Sequence, residues 1–116
     1  MAQEKGIFSG GTTMLVLNLL EHRDMYGYEM IEELSRRSED AFRLKTGTLY
    51  PLLHGLEQDG MLSAYEQQTE EGRMRKYYSL TEKGGKFLAK QKEEWKSYTK
   101  AVNRVMKGGT IHVFSG

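Results

Sequence analysis

Apolar positions recur along this chain with two different periods, and the change of period divides it into elements. Met14, Leu15, Val16, Leu17, Leu19 and Leu20 are so densely apolar that they predict a helix buried on most sides, with Thr12 or Thr13 as its cap. Asp24 suits the N-cap of a second helix, with Tyr28, Ile31 and Leu34 on one face and Glu29, Glu32, Glu33 and Arg36 on the other. That helix should stop near Ser38-Glu39-Asp40. In a third helix Leu49, Leu52, Leu53 and Leu56 fall at i, i+3, i+4 and i+7 and define a buried stripe. The opposite face collects Gly47, Pro51, His54 and Gln58, flanked by Thr48 and Tyr50. Pro51 leaves two starts open. With Thr48 as N-cap its missing N–H costs nothing, whereas a start at Thr46 loses one hydrogen bond and distorts the first turn. Gly60 closes the helix as a C′ residue.

The period then shortens. Met61 to Gln67 and Met74 to Leu80 have the aromatics and partial alternation of strands, and Thr69-Glu70-Glu71-Gly72 between them is turn chemistry, so the pair predicts a β-hairpin. Thr81 caps a long fourth helix, whose first turns Gly84 and Gly85 weaken by up to ~1 kcal/mol each. Along it Leu88, Gln91, Trp95, Tyr98, Val102 and Val105 alternate spacings of three and four, a heptad seam that Phe87, Ala101 and Met106 widen. No other domain is left to cover that stripe, so it calls for a second copy of the chain. The fold class is mainly α (α+β). Residues 12–81 form a winged helix-turn-helix with a two-stranded wing, and residues 82–107 form a C-terminal dimerisation helix. An all-α bundle with a surface hairpin is the alternative. Six of the 13 glycines lie near the ends, so residues 1–11 and 108–116 are expected to be flexible. A short strand at Ile111-His112-Val113-Phe114 is the other reading of the tail.

Charge changes this picture only when it is divided. The 116 residues carry 17 Lys+Arg against 16 Asp+Glu and no Cys. That balance argues against a wholly basic nucleic-acid binder, and the missing Cys excludes disulfides, a thiolate nucleophile and cysteine-ligated zinc. Residues 1–40 hold eight acidic side chains against four basic, residues 41–81 five of each, and residues 82–116 three acidic against eight basic. No apolar run approaches the ~20 residues of a membrane span, and the N-terminus lacks a signal-peptide core, so a cytoplasmic protein is expected. The three histidines, His22, His54 and His112, are not at ligand spacing, no phosphate-cradling glycine loop follows a strand, and no carboxylate pair is set for acid–base work. Neither an enzyme, nor a bound metal, nor a cofactor is expected.

Binding to duplex DNA needs cations where the reader helix lies. Arg43 and Lys45 precede the third helix, and Arg73, Arg75 and Lys76 sit at the wing, while Glu70 and Glu71 at its tip oppose phosphate. Thr46 and Thr48 are suited to phosphate contacts, Tyr50 to sugar or a thymine methyl, and His54 to a base edge. Tyr50 could instead pack under the wing, and His54 could stand in solvent. On the last helix Trp95 would face its own copy across a two-fold axis. With Tyr98, Met14 and Leu17 it would form a slot for a planar aromatic effector, unless it simply packs the dimer.

Four segments carry a resemblance: Tyr26-Gly27-Tyr28-Glu29-Met30, Gly47-Thr48-Leu49-Tyr50-Pro51-Leu52-Leu53, Leu56-Glu57-Gln58-Asp59-Gly60, and Arg73-Met74-Arg75-Lys76-Tyr77-Tyr78-Ser79-Leu80-Thr81. In this order and spacing they resemble the PadR family of transcriptional regulators. The resemblance implies a winged-helix homodimer, usually a repressor, paired through its last helix. It supports Lys45, Thr48 and Tyr50 as DNA contacts together with a wing cation from positions 73, 75 and 76. The single short last helix is similar to the compact branch that includes the lactococcal multidrug-responsive regulator, in which a tryptophan that Trp95 matches binds flat ligands. The tail after residue 109 has no counterpart in this resemblance. A winged-helix protein-interaction module without DNA binding is the competing function.

Overall fold

The computed structural model describes residues 11–115, with side chains described through Gly108. The flexible N-terminus expected up to residue 11 thus lies outside the described residues except for Gly11. The first helix, α1 (Gly11–Leu19), starts early enough that Thr12 and Thr13 fall inside it rather than capping it. Val16, Leu17 and Leu19 are buried, and Leu20 just beyond the helix joins them. A two-residue strand that the sequence pattern does not announce follows, β1 (Met25–Tyr26), leading directly into α2 (Gly27–Arg37).

Asp24 does not cap α2. Tyr26 holds the N-cap position, and its backbone N–H donates to Glu29 Oε1 at 3.1 Å. Asp24 accepts the Tyr65 hydroxyl at 2.6 Å instead. The helix stops where expected. Asp40 N–H donates to the Ser35 carbonyl at 2.8 Å and Glu39 N–H to that of Arg36 at 3.2 Å, which satisfies the last carbonyls with Glu39 in the left-handed region at φ 51. Above this end Glu33 accepts from both Arg36 and Arg37, and these two bonds pull its carboxyl down to about 2.

The reader helix α3 (Thr46–Gln58) takes the earlier of its two starts, with Lys45 as N-cap. Pro51 therefore sits inside the helix and cannot donate to Gly47. The first turn is tightened, Thr48 N–H and Leu49 N–H both reaching the Lys45 carbonyl, at 3.0 and 2.9 Å. Leu49, Leu53 and Leu56 are buried and Leu52 packs against the core, so the stripe lies where its period places it. Gly60, at φ 79, forms the C′ turn: its N–H donates to Glu57 and the Met61 N–H to Leu56.

The wing strands β2 (Leu62–Gln68) and β3 (Met74–Leu80) pair antiparallel across the Thr69–Arg73 turn, where Gly72 takes φ 88. β1 adds on the far side of β3, so the sheet has three strands in the order β1-β3-β2 rather than two. The register sets Tyr26, Tyr77 and Tyr65 side by side across it. Tyr77 meets Tyr26 edge-on at 5.3 Å and stacks on Tyr65 at 5.7 Å.

The last helix α4 (Glu82–Ser115) is capped as expected, Thr81 Oγ1 accepting from Gly84 N–H at 3.0 Å. Its backbone is helical beyond residue 107, where the sequence pattern ended it, and across 111–114, where a strand or disorder was expected. Extending a formed helix through Gly108 and Gly109 costs only about 1 kcal/mol per glycine, and no proline stops it. Gly84 is no simple weak point, because a Cβ there would run into the Met61 carbonyl. Leu88, 1 % exposed, packs into the chain's own core against α1 and is therefore not part of an intermolecular seam. Lys92 Nζ adds an ion pair to Glu21 at 2.8 Å, after which α4 leaves the body of the protein. The molecule consequently measures 66 × 30 × 25 Å.

Candidate nucleic-acid interface

Packing of the leucine stripe turns the other side of α3 outward. Lys45, Thr46, Thr48, Tyr50 and His54 are all exposed along it, together with Gly47 and Pro51. The wing stands beside this face, and between them lies a hollow of about 460 Å³ lined by Tyr26, Gly27, Tyr50, His54, Met74, Arg75, Lys76 and Tyr78. Four of the nine positions expected to meet DNA thus share one concavity: Tyr50, His54, Arg75 and Lys76.

The five cations differ in what already holds them. Arg73 is exposed beside the wing turn and Lys45 at the helix start. Arg43 lies 3.6 Å from Asp40, both side chains largely in solvent, a pairing too exposed to hold it firmly. Lys76 Nζ is 3.3 Å from Glu57 Oε1 and 5.4 Å above the Tyr78 ring. The Glu57 bond, reinforced by Tyr78, raises the lysine's affinity for its proton. Arg75 is half-buried, with its guanidinium carbon 5.4 Å from the Tyr26 ring and 5.9 Å from the Tyr28 ring. Its Nε is shut off from solvent and has no acceptor among the described residues.

Tyr50 is half in the wall of the hollow and half in solvent, so neither of the two readings of this residue excludes the other. Its ring crosses the start of α2 where Gly27 has no side chain, and a Cβ at Gly27 would strike the phenol. Burial, then the neighbouring Tyr28 and Tyr78, push its hydroxyl above the usual phenol range despite the opposing pull of Arg75, so it remains a donor. Sequence reasoning missed Tyr26, Tyr28 and Met74. Tyr28 was placed on one face of α2 with Ile31 and Leu34; Leu34 is buried there, but Tyr28 is 51 % exposed, and Gly27 and Met30 complete the buried side. The signal lay in the aromatic pair at 26 and 28 flanking a glycine, and in a strand that sets two cations, Arg75 and Lys76, directly before two tyrosines.

On α4, Trp95 stacks on Tyr98 with ring centroids 5.8 Å apart and is 42 % exposed. Val102 is 38 % and Val105 78 % exposed, and Gln91 is half-buried with an Oε1 that has no partner among the described residues. Met14 is half-buried beside the core, but Leu17 is fully enclosed in it, so Leu17 does not line a slot at this surface. Among the described residues no group of His, Asp and Glu side chains is placed to hold a metal, and no helix is long and apolar enough to cross a membrane.

An exposed third helix beside a two-stranded hairpin is the winged-helix arrangement. Residues 16–90 match the transcriptional regulator PadR-like family, and the chain belongs to it. It is 32 % identical over 102 residues to uncharacterized protein X of Lysinibacillus sphaericus, spanning 88 % of this chain and 94 % of that one. It is 35 % identical over 99 residues to the transcriptional regulator Rv3488 of Mycobacterium tuberculosis, spanning 83 % and 85 %. Among solved structures, a PadR family regulator from Clostridium difficile superposes with a TM-score of 0.69 at 36 % identity, covering 80 % of this chain and 95 % of that one. A PadR-like regulator from Bacillus cereus gives 0.75 at 26 % identity, covering 84 % and 92 %. The family consists of transcriptional regulators that bind DNA, not of enzymes, and this chain has its compact size with a long C-terminal helix.

Proposed function

We propose that the protein is a cytoplasmic repressor that binds a pseudo-palindromic operator as a homodimer and is released by a small planar aromatic ligand. The observation that carries the DNA part is the shared concavity of α3 and the wing, where Tyr50, His54, Arg75 and Lys76 meet. Lys45, Thr46 and Thr48 at the start of α3, with Arg43 before it and Arg73 on the wing, extend the contact along the phosphate backbone. Val102 and Val105 support pairing through α4, since each lies on one face of a helix that has left the body of its own chain. Two reader helices would then address half-sites about 34 Å apart. Trp95 and Tyr98, stacked at the root of that face, support a slot for a flat effector, to which Met14 of α1 would contribute, as in the lactococcal multidrug-responsive regulator that the sequence resembles.

The test is duplex DNA binding measured against salt. Affinity should fall steeply as salt rises, and an absence of binding at low salt would rule out the regulator reading for this chain. One observation favours a protein-interaction module instead: two of the five cations, Arg43 and Lys76, already face carboxylates. Trp95 fluorescence titrated with flat aromatic compounds tests the effector, and unchanged emission would leave Trp95 as a packing residue.

A further inference from the structure

Arg75 and Lys76 are neighbours on one strand, yet their surroundings equip them for different work. Lys76 is engaged by Glu57 at 3.3 Å. Among the described residues Arg75 has no carboxylate partner. It is flanked by two rings supplied by a different part of the chain, Tyr26 at the end of β1 and Tyr28 in the first turn of α2. The pairing of β1 with β3 at Met25↔Tyr78 and Tyr26↔Tyr77 stops just short of Arg75, so the strand edge beside it opens onto the hollow. Tyr26 is itself fixed, edge-on against Tyr77, which in turn stacks on Tyr65. Tyr28 is the exposed half of this holder.

A guanidinium held by ring faces keeps its N–H edge available, whereas one held by a carboxylate has that edge occupied. Across the hollow stands the Tyr50 hydroxyl, close enough to Arg75 and Tyr28 to feel both. One cation and one neutral hydroxyl, fixed in a concave wall, match a singly charged phosphodiester better than a base edge or a dianion.

The geometry points to Tyr28 as a positioning residue for DNA binding: with Tyr26 it presets the Arg75 guanidinium, opposite the Tyr50 hydroxyl, as a seat for one backbone phosphate. This rests on the DNA-binding reading above and assigns the hollow to affinity that is independent of sequence. The occupant is a phosphate of the duplex, and free inorganic phosphate is the rival source of the same chemistry.

The experiment measures the full-length protein against a fluorescein-labelled mixed-sequence duplex by anisotropy, from about 50 to about 200 mM salt. Arg75→Ala should weaken binding about tenfold or more and flatten the log–log salt slope by about 0.9 per protomer. Tyr28→Ala should weaken binding about tenfold with the slope unchanged, because the charge remains but is no longer held. Tyr28→Phe, which keeps the ring, should bind within about twofold of the parent. The Tyr28→Ala/Arg75→Ala double variant should bind no worse than Arg75→Ala alone. Circular dichroism checks that each variant folds, which the exposure of Tyr28 favours. Parent binding with an unaffected Tyr28→Ala, or additive losses in the double variant, would overturn the positioning role and leave the regulator reading standing. Parent protein that binds no duplex at low salt would overturn both. Inorganic phosphate displacing the duplex more than chloride at equal ionic strength would make the hollow a free-anion site and overturn the DNA seat.

Discussion

One methyl group at Gly27 separates an intact reader surface from a disturbed one. A Cβ there meets the hydroxyl end of Tyr50, a side chain that can swing away, so Gly27→Ala should cost under about 1 kcal/mol of stability while displacing a wall of the hollow. Urea denaturation near the parent's midpoint, with DNA affinity reduced several-fold, is the expected result. The same change at Gly84 meets a backbone carbonyl, Met61, and the Leu80 side chain at 2.8 Å, neither of which moves without shifting α4 off the sheet. Gly84→Ala should therefore destabilise by about 2 kcal/mol or more in the same assay. Tyr65 supplies a pH test. Its bond to Asp24, helped by burial, pushes its hydroxyl from 10.0 to about 12. A phenol that is more basic in the folded state stabilises fully below pH about 10 and loses that contribution as pH rises toward about 12. Denaturation midpoints should fall across this window in the parent and fall less in Tyr65→Phe.

At the scale of elements, α3 was legible because its information is local. Four leucines at helical spacing fixed the buried side, and Gly60 marked the end through a left-handed turn that only a glycine enters without strain. Gly60→Ala should cost about 1 kcal/mol from backbone conformation alone, since a Cβ would meet Lys83 at no closer than 3.7 Å. Thermal unfolding measures it, and an unchanged midpoint would mean the turn relaxes without penalty. The wing was equally readable from its aromatics and its Thr-Glu-Glu-Gly turn. β1 was not, because two residues carry no period and Met25 and Tyr26 become a strand only by pairing with Tyr78 and Tyr77, far away in sequence. That blind spot spread to the site. Without β1 the start of α2 was misplaced, Asp24 was taken for its cap, and Tyr28 was turned inward, so the holder of Arg75 was invisible while Arg75 itself was not. The heptad on α4 erred at its first position for a related reason: spacing cannot distinguish a stripe that meets its own core from one that meets another chain, and Leu88 meets its own core.

At the scale of the molecule, a chain of this length folded into a sphere would have a radius of gyration near 13 Å, and the observed 17.8 Å measures how far α4 projects from the body. Projection without a covering element leaves Val105 at 78 % exposure, and burying such a side chain is worth about 1.5–3 kcal/mol. A second copy laid along the same helix would recover this from both chains at once, whereas folding back onto the parent body would require breaking a helix that runs uninterrupted from Glu82 to Ser115. Charge argues in the same direction: the acidic side chains of residues 1–40 and the basic ones of residues 82–116 attract when two chains bring one's front toward the other's last helix. The parent should therefore sediment at the mass of two chains and the Val102→Glu/Val105→Glu variant at the mass of one. The variant's far-ultraviolet dichroism should still report a folded winged domain, because neither valine belongs to the core. Duplex affinity should fall by far more than a wing substitution causes, as two linked reader helices become one. A variant that stayed at the parent's mass would remove α4 as the pairing surface and, with it, the case for a two-fold operator.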